Sequence, residues 1–441
     1  MKQLATLLLA VLCHSALAAN PPKNIIMIVG DGMGPAYTTA YRMYADDPNT
    51  PEVEQTVFDR LLVGMASTHP DMHTGYVTDS AAAATALSTG VKTYNGAIGV
   101  DANKKPVQTV LELAKIQGRK TGIAVTSHIN HATPASFGAH NVSRQNYDQI
   151  ADSYFDEKTN GQFVFDVMLG GGWKYFIRED RNLVEQFKAA GYQYVDELTQ
   201  LATVTAGTPL LGLFADSGLP WALDSVNQMR LPTLAKAAIR QLEDDQGYFL
   251  LIEASQVDWA GHGNDIGSAM AEMHDLAVTL EWLEQYIVKN PDTLLVLTAD
   301  HSTGGLTIGA EGVYNWDPKP LKQLEASPQK IAEGLMGLKE RGQFVSKMLG
   351  LELTKEEEQQ LDNIEVNKQQ LADLDIKITK AFHKIITGIL DQRSYTGWTT
   401  GGHTGIDVQV FAKGPGSERF RGYLDNTDIA QNIFELLRHK K

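Results

Sequence analysis

The sequence predicts an α/β fold: a doubly wound, mostly parallel sheet with helices on both faces and a helical insert. Continuous apolar runs rich in β-branched residues have the length of buried strands, at residues 24–30, 121–127, 248–254, 293–299 and 408–413. Helical patterns lie between them, at residues 80–87, 109–116, 234–242 and 266–287. Apolar strands that alternate with helices are typical of a parallel sheet covered on both faces.

Length and composition are those of a globular protein with a large core. The chain has 441 residues, of which 43% are hydrophobic and 21% charged. A prior of roughly 150 residues per domain suggests two or three domains, but single α/β domains often exceed that length. We therefore expect one large domain over residues 20–441, carrying an insert at 311–399.

The first 19 residues resemble a secretory signal peptide. Lys2 precedes an apolar run at residues 7–12, and a small-x-small cleavage pattern follows at residues 16–18. The apolar run is far shorter than the ~20 residues that span a bilayer, so we expect no membrane span. Cys13 lies inside this run, after Leu12 rather than a small residue, which disfavours lipidation. The pattern predicts a mature chain that begins near Ala19 or Asn20 and is periplasmic or secreted.

Charge and cysteine content limit the possible partners. The formal net charge is -15, which argues against nucleic acid or an anionic membrane as the main partner. Cys13 is the only cysteine, so no disulfide can form within the chain. An acidic protein that acts on anionic esters needs local positive charge, which bound metal ions can supply.

Metal-ligand residue types follow several of the predicted strands. Each has an ordinary explanation when taken singly, such as a turn, a helix cap or a solvated pair. In a parallel sheet, however, the carboxyl ends of the strands meet at one edge, where ligands bind. The pattern therefore predicts one metal centre built from Asp31, Glu253, Asp258, His262, Asp300, His301 and, just before the last strand, His403.

Ser80 is the candidate nucleophile. It begins an alanine-rich helix, where free N–H groups and the helix dipole favour an incoming phosphate. The alternative is a plain N-cap serine. The chain lacks a GxSxG elbow or a Ser-His-Asp pattern in this region. A serine activated by a metal ion needs no histidine base, so the many possible metal ligands favour the nucleophile.

Six segments together resemble the alkaline phosphatase family. Their order and internal spacing fit, and the resemblance covers most of the chain apart from the signal peptide and the insert. The segments are residues 30–34, 78–82, 131–135 with His140 and Arg144, 253–258 with His262, 298–301, and 402–404.

The resemblance implies two zinc ions and one magnesium ion. It assigns one zinc to Asp258, His262 and His403, and the second to Asp31, Asp300 and His301, with Ser80 as a further ligand when deprotonated. Mixed carboxylate and imidazole ligands suit zinc at open catalytic sites. The magnesium ligands would be Asp31, Thr133 and Glu253, which all supply oxygen.

The same resemblance implies hydrolysis of phosphate monoesters of broad type. Ser80 would attack phosphorus to form a phosphoserine intermediate, with the two zinc ions stabilising the entering and leaving oxygens. Arg144 would bind two phosphate oxygens and be oriented by Asp79. Deprotonation of serine and water implies an alkaline pH optimum.

The resemblance also implies a homodimer, with residues 311–399 as an arm or crown that contacts the second subunit. The alternative is an insert that packs on its own body.

Two positions that the resemblance places beside the metal ligands depart from the best-known bacterial pattern, which has Asp and Lys where His131 and Trp259 stand. The His/Trp pair resembles that of marine bacterial members.

Two other functions stay open. Phosphodiesterases and nucleotide pyrophosphatases of the same superfamily share the two-zinc core, but the resemblance implies that they lack the Asp31, Thr133 and Glu253 trio. A metal-binding protein on a degenerate phosphatase scaffold would not need Ser80 or Arg144.

Overall fold

The computed structural model describes residues 21–225, 229–365 and 372–438. The predicted signal peptide lies outside the described residues, as do positions 366–371 of the insert. The strands of the described chain are β1 (Asn24–Gly30), β2 (Leu62–Ser67), β3 (Lys120–His128), β4 (Val167–Gly171), β5 (Gln193–Val195), β6 (Leu210–Leu213), β7 (Tyr248–Ala254), β8 (Thr293–Thr298), β9 (Ser302–Thr303), β10 (Thr307–Ile308), β11 (Thr396–Gly397), β12 (His403–Thr404), β13 (Val408–Lys413) and β14 (Gly422–Asp425).

Ten of these strands form one sheet, in the order β14-β2-β13-β8-β1-β7-β3-β4-β6-β5. Its strands run parallel except β13, which is antiparallel to both β2 and β8. The central strands β1, β7 and β8 are almost entirely buried, because both faces of the sheet are covered. Two short antiparallel pairs, β10–β11 and β12–β9, lie outside this sheet.

Helices cover the sheet on both faces. In the described residues they are α1 (Pro35–Ala45), α2 (Val57–Leu61), α3 (Ser80–Thr89), α4 (Val110–Ile116), α5 (Ala132–Gly138), α6 (Tyr147–Asp156), α7 (Trp173–Phe176), α8 (Leu183–Ala189), α9 (Arg230–Leu242), α10 (Gln256–His262), α11 (Ile266–Lys289), α12 (Pro328–Gly334), α13 (Arg341–Leu349), α14 (Lys355–Asp362), α15 (Ala372–Ser394) and α16 (Asn426–Arg438). Helices α9 and α11 pack on each other, α4 packs on α5, and both pairs contact β7. The predicted doubly wound α/β class is confirmed.

The predicted strands agree with β1, β3, β7, β8 and β13 to within one residue at each end. Sequence reasoning missed β2, β4, β5, β6 and β14. These strands are only three to six residues long, and β4 ends in two glycines, so their patterns are too short to stand out.

The insert is more broken than its sequence pattern indicates. The pattern at residues 331–349 forms α12 and α13, separated by Gly337 at φ 83°, a left-handed value that favours glycine. The pattern at 355–389 forms α14 and α15. Helix α15 packs against α11 and α12, so the insert contacts its own body. None of the helices in the described part of the chain has the length and apolarity needed to cross a bilayer.

Candidate active site and metal centre

Ser80 is the first residue of α3, and Asp79 is its N-cap. Asp79 Oδ1 accepts a hydrogen bond from Ala82 N at 3.0 Å, so the alternative of Ser80 as a cap is wrong. Ser80 is 1% exposed, and its Oγ lies 3.1 Å from His301 Nε2. The hydroxyl therefore sits against the residues that follow β8.

Arg144 is held beside Ser80 by two partners. Its Nη1 donates to Asp79 Oδ2 at 3.1 Å, and its Nη2 donates to His131 Nε2 at 3.2 Å. Each terminal nitrogen of a guanidinium carries two hydrogens, so one on each remains for an anion. Two free N–H groups on adjacent nitrogens are the donor pattern that two oxygens of a phosphate can accept from.

The first candidate metal group consists of Asp258, His262 and His403, whose ligand atoms lie within 4.8 Å of one another. The spacing of four residues brings Asp258 and His262 together on α10, with Oδ2 3.3 Å from Nε2. His262 Nδ1 donates to Gly401 O at 2.7 Å, and His403 Nδ1 donates to Thr78 O at 2.9 Å. In the neutral rings these bonds leave both Nε2 atoms, 3.2 Å apart, as acceptors, which is the tautomer that a metal ligand needs.

His403 reaches this group because β13 is antiparallel. The amino end of β13 lies beside the carboxyl end of β8, where Val410 pairs with Thr298. Before β13, His403 pairs with Thr303 in the short β12–β9 ladder. His403, which precedes β13, therefore lies at the same edge of the sheet as the residues that follow the parallel strands.

The second candidate group contains Asp31, Asp258 and His301, again within 4.8 Å of one another. Asp300 adjoins it, with Oδ2 3.1 Å from His301 Nε2. Asp300 Oδ1 is occupied, because it accepts hydrogen bonds from Gly32 N at 3.0 Å and from His301 N at 2.9 Å. Asp258 therefore lies between the two groups, although the resemblance assigned it to the first zinc alone.

The third candidate group contains Asp31, His131 and Glu253. Glu253 Oε2 accepts hydrogen bonds from Ser127 and Ser255, while Oε1 has no hydrogen-bond partner in the described residues. The predicted third ligand, Thr133, is buried on α5, two residues after His131. His131 itself, predicted only as a neighbour of this site, also offers a ring nitrogen.

The electrostatics of these residues fit bound cations. Burial raises the pKa of Asp31 well above its usual value, and the charges of Asp300 and Asp258 raise it further. Burial also raises the pKa of Glu253 to about 7. Unpartnered buried oxygens are costly unless a cation or proton compensates them. Within the described residues, those at this site without a hydrogen-bond partner are both carboxylate oxygens of Asp31, Thr133 Oγ1, Glu253 Oε1 and Asp300 Oδ2.

Sequence reasoning missed the hydroxyl residues that orient these ligands. Thr303 Oγ1 donates to Asp258 Oδ1, and Ser127 and Ser255 hold Glu253. Ser255 lies two residues beyond Glu253, and Thr303 two residues beyond His301. Their closeness in sequence to predicted ligands could have identified them as residues that orient those ligands. Ser127 lies 126 residues from Glu253 along the chain, and only the pairing of β3 with β7 brings them together.

Comparison with known proteins identifies the protein family to which this chain belongs. A family model described as alkaline phosphatase matches residues 22–439. The chain belongs to the alkaline phosphatase family. Alkaline phosphatase 3 of Bacillus subtilis is 48% identical over 95% of this chain and 89% of that protein.

Solved alkaline phosphatases share the fold. The cold-active alkaline phosphatase from a psychrophilic Shewanella species is 50% identical, with a TM-score of 0.87 over 94% of this chain and 100% of that one. The Thermus thermophilus alkaline phosphatase is 26% identical, with a TM-score of 0.80 over 99% and 97% of the two chains. A histidine-to-glutamate mutant of the alkaline phosphatase from the Antarctic bacterium TAB5 is described with Mg bound in its M3 site; it is 26% identical, with a TM-score of 0.69 over 96% and 100%. This alkaline phosphatase is accordingly a phosphomonoesterase of the hydrolase class.

Proposed function

We propose that this alkaline phosphatase hydrolyses phosphate monoesters by attack of Ser80 Oγ on phosphorus. Oγ gives up its proton to solvent and forms a bond to phosphorus while the bond from phosphorus to the alcohol oxygen breaks, and the alcohol leaves with a proton from solvent. Water then attacks the phosphoserine, releasing inorganic phosphate and restoring the hydroxyl. The observation that carries the proposal is the position of Ser80 Oγ, buried at the start of α3 and 3.1 Å from His301 Nε2.

The protein's own residues bind and orient the phosphate. The first turn of a helix has N–H groups without helical partners, which favours an anion next to Ser80. Arg144 supplies a second set of donors, and Asp79 fixes its direction. Together they would hold phosphorus in line with Oγ, which is most of what phosphoryl transfer requires of a protein.

The metal content that we propose is two zinc ions and one magnesium ion. Asp258, His262 and His403 would hold one zinc, and Asp31, Asp300 and His301 the other, together with Ser80. Asp31, Thr133 and Glu253 would hold magnesium. Bound metal ions would supply positive charge that lowers the pKa of hydroxyl groups and neutralises the phosphate. The two sets of nitrogen and oxygen donors and the oxygen-only trio support these assignments.

Monoesters are preferred over diesters in this proposal because the trio of Asp31, Thr133 and Glu253 is present. A chromogenic aryl phosphate and its bis-ester separate the possibilities. We expect hydrolysis of the monoester and little of the bis-ester. A preference for the bis-ester would indicate a phosphodiesterase, and no turnover of either would indicate a metal-binding protein.

The nucleophile is tested by replacing Ser80. We expect Ser80→Ala to lose most phosphatase activity while its zinc content, measured by atomic emission, stays near wild type. Ser88→Ala is a matched control, because Ser88 lies about two turns from Ser80 on the same helix and its Oγ donates to Ser136 O. Wild-type turnover in Ser80→Ala would disprove the assignment.

Export and assembly complete the proposal. Residues 1–19 would be a signal peptide, which places the mature protein in the periplasm or outside the cell. The protein would form a homodimer, with residues 311–399 as an arm or crown. Sedimentation velocity tests the dimer: the full chain should sediment as a dimer, and a chain with a shortened insert as a monomer. A monomeric full-length chain would contradict it.

A further inference from the structure

A cavity of about 760 Å³ lies between α10 and the insert. One wall is formed by Trp259, His262 and the residues that follow them at positions 263–265. The opposite wall is formed by α12 and α15, with Gln329 and Ile376 among its residues. A volume of 300–1,000 Å³ is typical of small-molecule sites. The insert therefore encloses a ligand-sized space against the helix that carries two site residues.

The cavity adjoins the active site through His262. Ser80 contacts His301, the His301 ring stacks on that of His403 at 3.5 Å between centroids, and His403 Nε2 lies 3.2 Å from His262 Nε2. Two histidine rings therefore stand between Ser80 and His262 in this chain of contacts. In an in-line displacement the leaving group departs on the side away from the nucleophile, and the cavity that His262 lines is the candidate for that side.

The lining combines tryptophan rings with polar groups. Trp221 is held in place, because its Nε1 donates to Gln329 Oε1 at 3.0 Å. Trp259 packs on Gly218, where an added Cβ would lie 2.3 Å from the ring. Rigid aromatic side chains with nearby amide and carboxylate groups favour flat, polar ligands.

We propose that this cavity binds the alcohol part of the phosphate ester, and that it favours a large flat aromatic group of nucleoside size over a small alkyl group. The inference deepens the proposed function and rests on it. Trp221 and Trp259 would contact the ring, and Gln329 from the insert would contact its polar edge. The insert thereby acts in substrate specificity, separately from any part in dimer formation.

The test compares kcat/KM for adenosine 5'-monophosphate with that for glycerol phosphate. We expect Trp221→Ala to lower the ratio of the two values about tenfold, which corresponds to about 1.4 kcal/mol, since a base stacked on an aromatic ring loses that contact. Phenyl phosphate is a third substrate; its ratio to glycerol phosphate should fall less, because a bare ring is smaller than a nucleoside. An unchanged ratio for adenosine monophosphate would overturn the inference.

A second variant fills the cavity instead of emptying it. Gly388 on α15 lines the cavity, and a Cβ added there would meet no atom within 4 Å. Gly388→Leu should therefore introduce no clash at Cβ, and it should lower the same ratio; the circular dichroism spectrum and the melting temperature check that the variant is folded. Adenosine should competitively inhibit glycerol phosphate hydrolysis by the wild-type enzyme, and both variants should weaken that inhibition. Equal inhibition in all three proteins would overturn the inference.

A matched tryptophan separates this effect from a general loss of stability. Trp282 stacks on Tyr286 on α11, and it is not among the residues that line the cavity. Trp282→Ala should leave the ratio unchanged. If the wild-type enzyme hydrolyses neither substrate, the proposed function fails. If it hydrolyses both and Trp221→Ala lowers the two kcat/KM values equally, only the cavity inference fails.

Discussion

Asp79 Oδ2 lies 3.1 Å from Arg144 Nη1, while Asp79 Oδ1 caps the helix that begins at Ser80. One carboxylate therefore positions both the candidate nucleophile and the arginine beside it. The same Oδ1 also accepts a hydrogen bond from Gly96 N at 3.0 Å, which fixes the carboxylate itself.

This double role predicts different effects for two substitutions at Asp79. Asp79→Ala should lower the free energy of unfolding by about 1 kcal/mol through loss of the cap. Asp79→Asn keeps an N-cap residue, so its stability should stay close to wild type. Both should lower kcat/KM about tenfold, because Arg144 loses a charged partner. Urea unfolding and steady-state kinetics measure these effects. Full activity in Asp79→Asn would leave Asp79 as a cap only.

Removal of metal should lower both activity and thermal stability. A single cysteine permits no internal disulfide, and the candidate ligands come from segments as distant as Asp31 and His403. An ion that binds only the folded state stabilises it by mass action. Chelation should therefore lower the melting temperature, and added zinc should restore it. The Ser80→Ala variant should behave alike, since it keeps the carboxylate and imidazole ligands. An unchanged melting temperature after chelation would contradict a structural role for the metal.

We expect His131 and Trp259 to make the release of inorganic phosphate faster than it would be with Asp and Lys at these two positions. Their rings lie 6.0 Å apart, and His131 Nε2 accepts a hydrogen bond from Arg144. Burial lowers the pKa of His131 well below its usual value, so neither side chain adds positive charge next to the phosphate.

The double change His131→Asp with Trp259→Lys introduces a carboxylate that can hydrogen-bond the water ligands of magnesium and a positive charge that can hold the phosphate. We expect a lower inhibition constant for phosphate, and a lower kcat where release limits turnover. Inhibition assays across magnesium concentrations measure both. Unchanged phosphate inhibition and magnesium dependence would leave the pair as packing residues.

Asp425 should contribute to stability at neutral pH but not in strong acid. Its Oδ2 accepts a hydrogen bond from Ser67 Oγ at 2.8 Å, which ties β14 to β2. Burial by itself would raise the pKa of Asp425, but hydrogen bonds from Thr427 and the contact with Lys92 lower it to about 2.

Because this pKa is lower in the folded state than in the unfolded state, the stabilisation is present above about pH 4. It is lost as pH falls toward 2. Asp425→Asn should therefore melt below wild type at pH 7, and the difference should shrink steadily from pH 4 to pH 2. Asp245→Asn, at an exposed position between α9 and β7, controls for the loss of one negative charge. A difference in melting temperature that does not vary with pH would contradict the prediction.

The sequence by itself determined the local features. Apolar runs located the central strands, because a strand buried on both faces must be apolar throughout. The spacing of Asp258 and His262 predicted one helical face, because four residues make about one turn. Ser80 could be located at a helix start, but its Oγ contact with His301 could not be derived from the pattern.

Tertiary structure alone decided how these features meet. The antiparallel direction of β13 brings His403 to His262, and the pairing of β3 with β7 brings Ser127 to Glu253. The packing of α15 against α11 puts Ile376 in a cavity with Trp259. Local periodicity reports which residues are buried, since it reflects one element and its own surroundings. It does not show which distant element packs against them, because the packing partner depends on the fold of the whole chain.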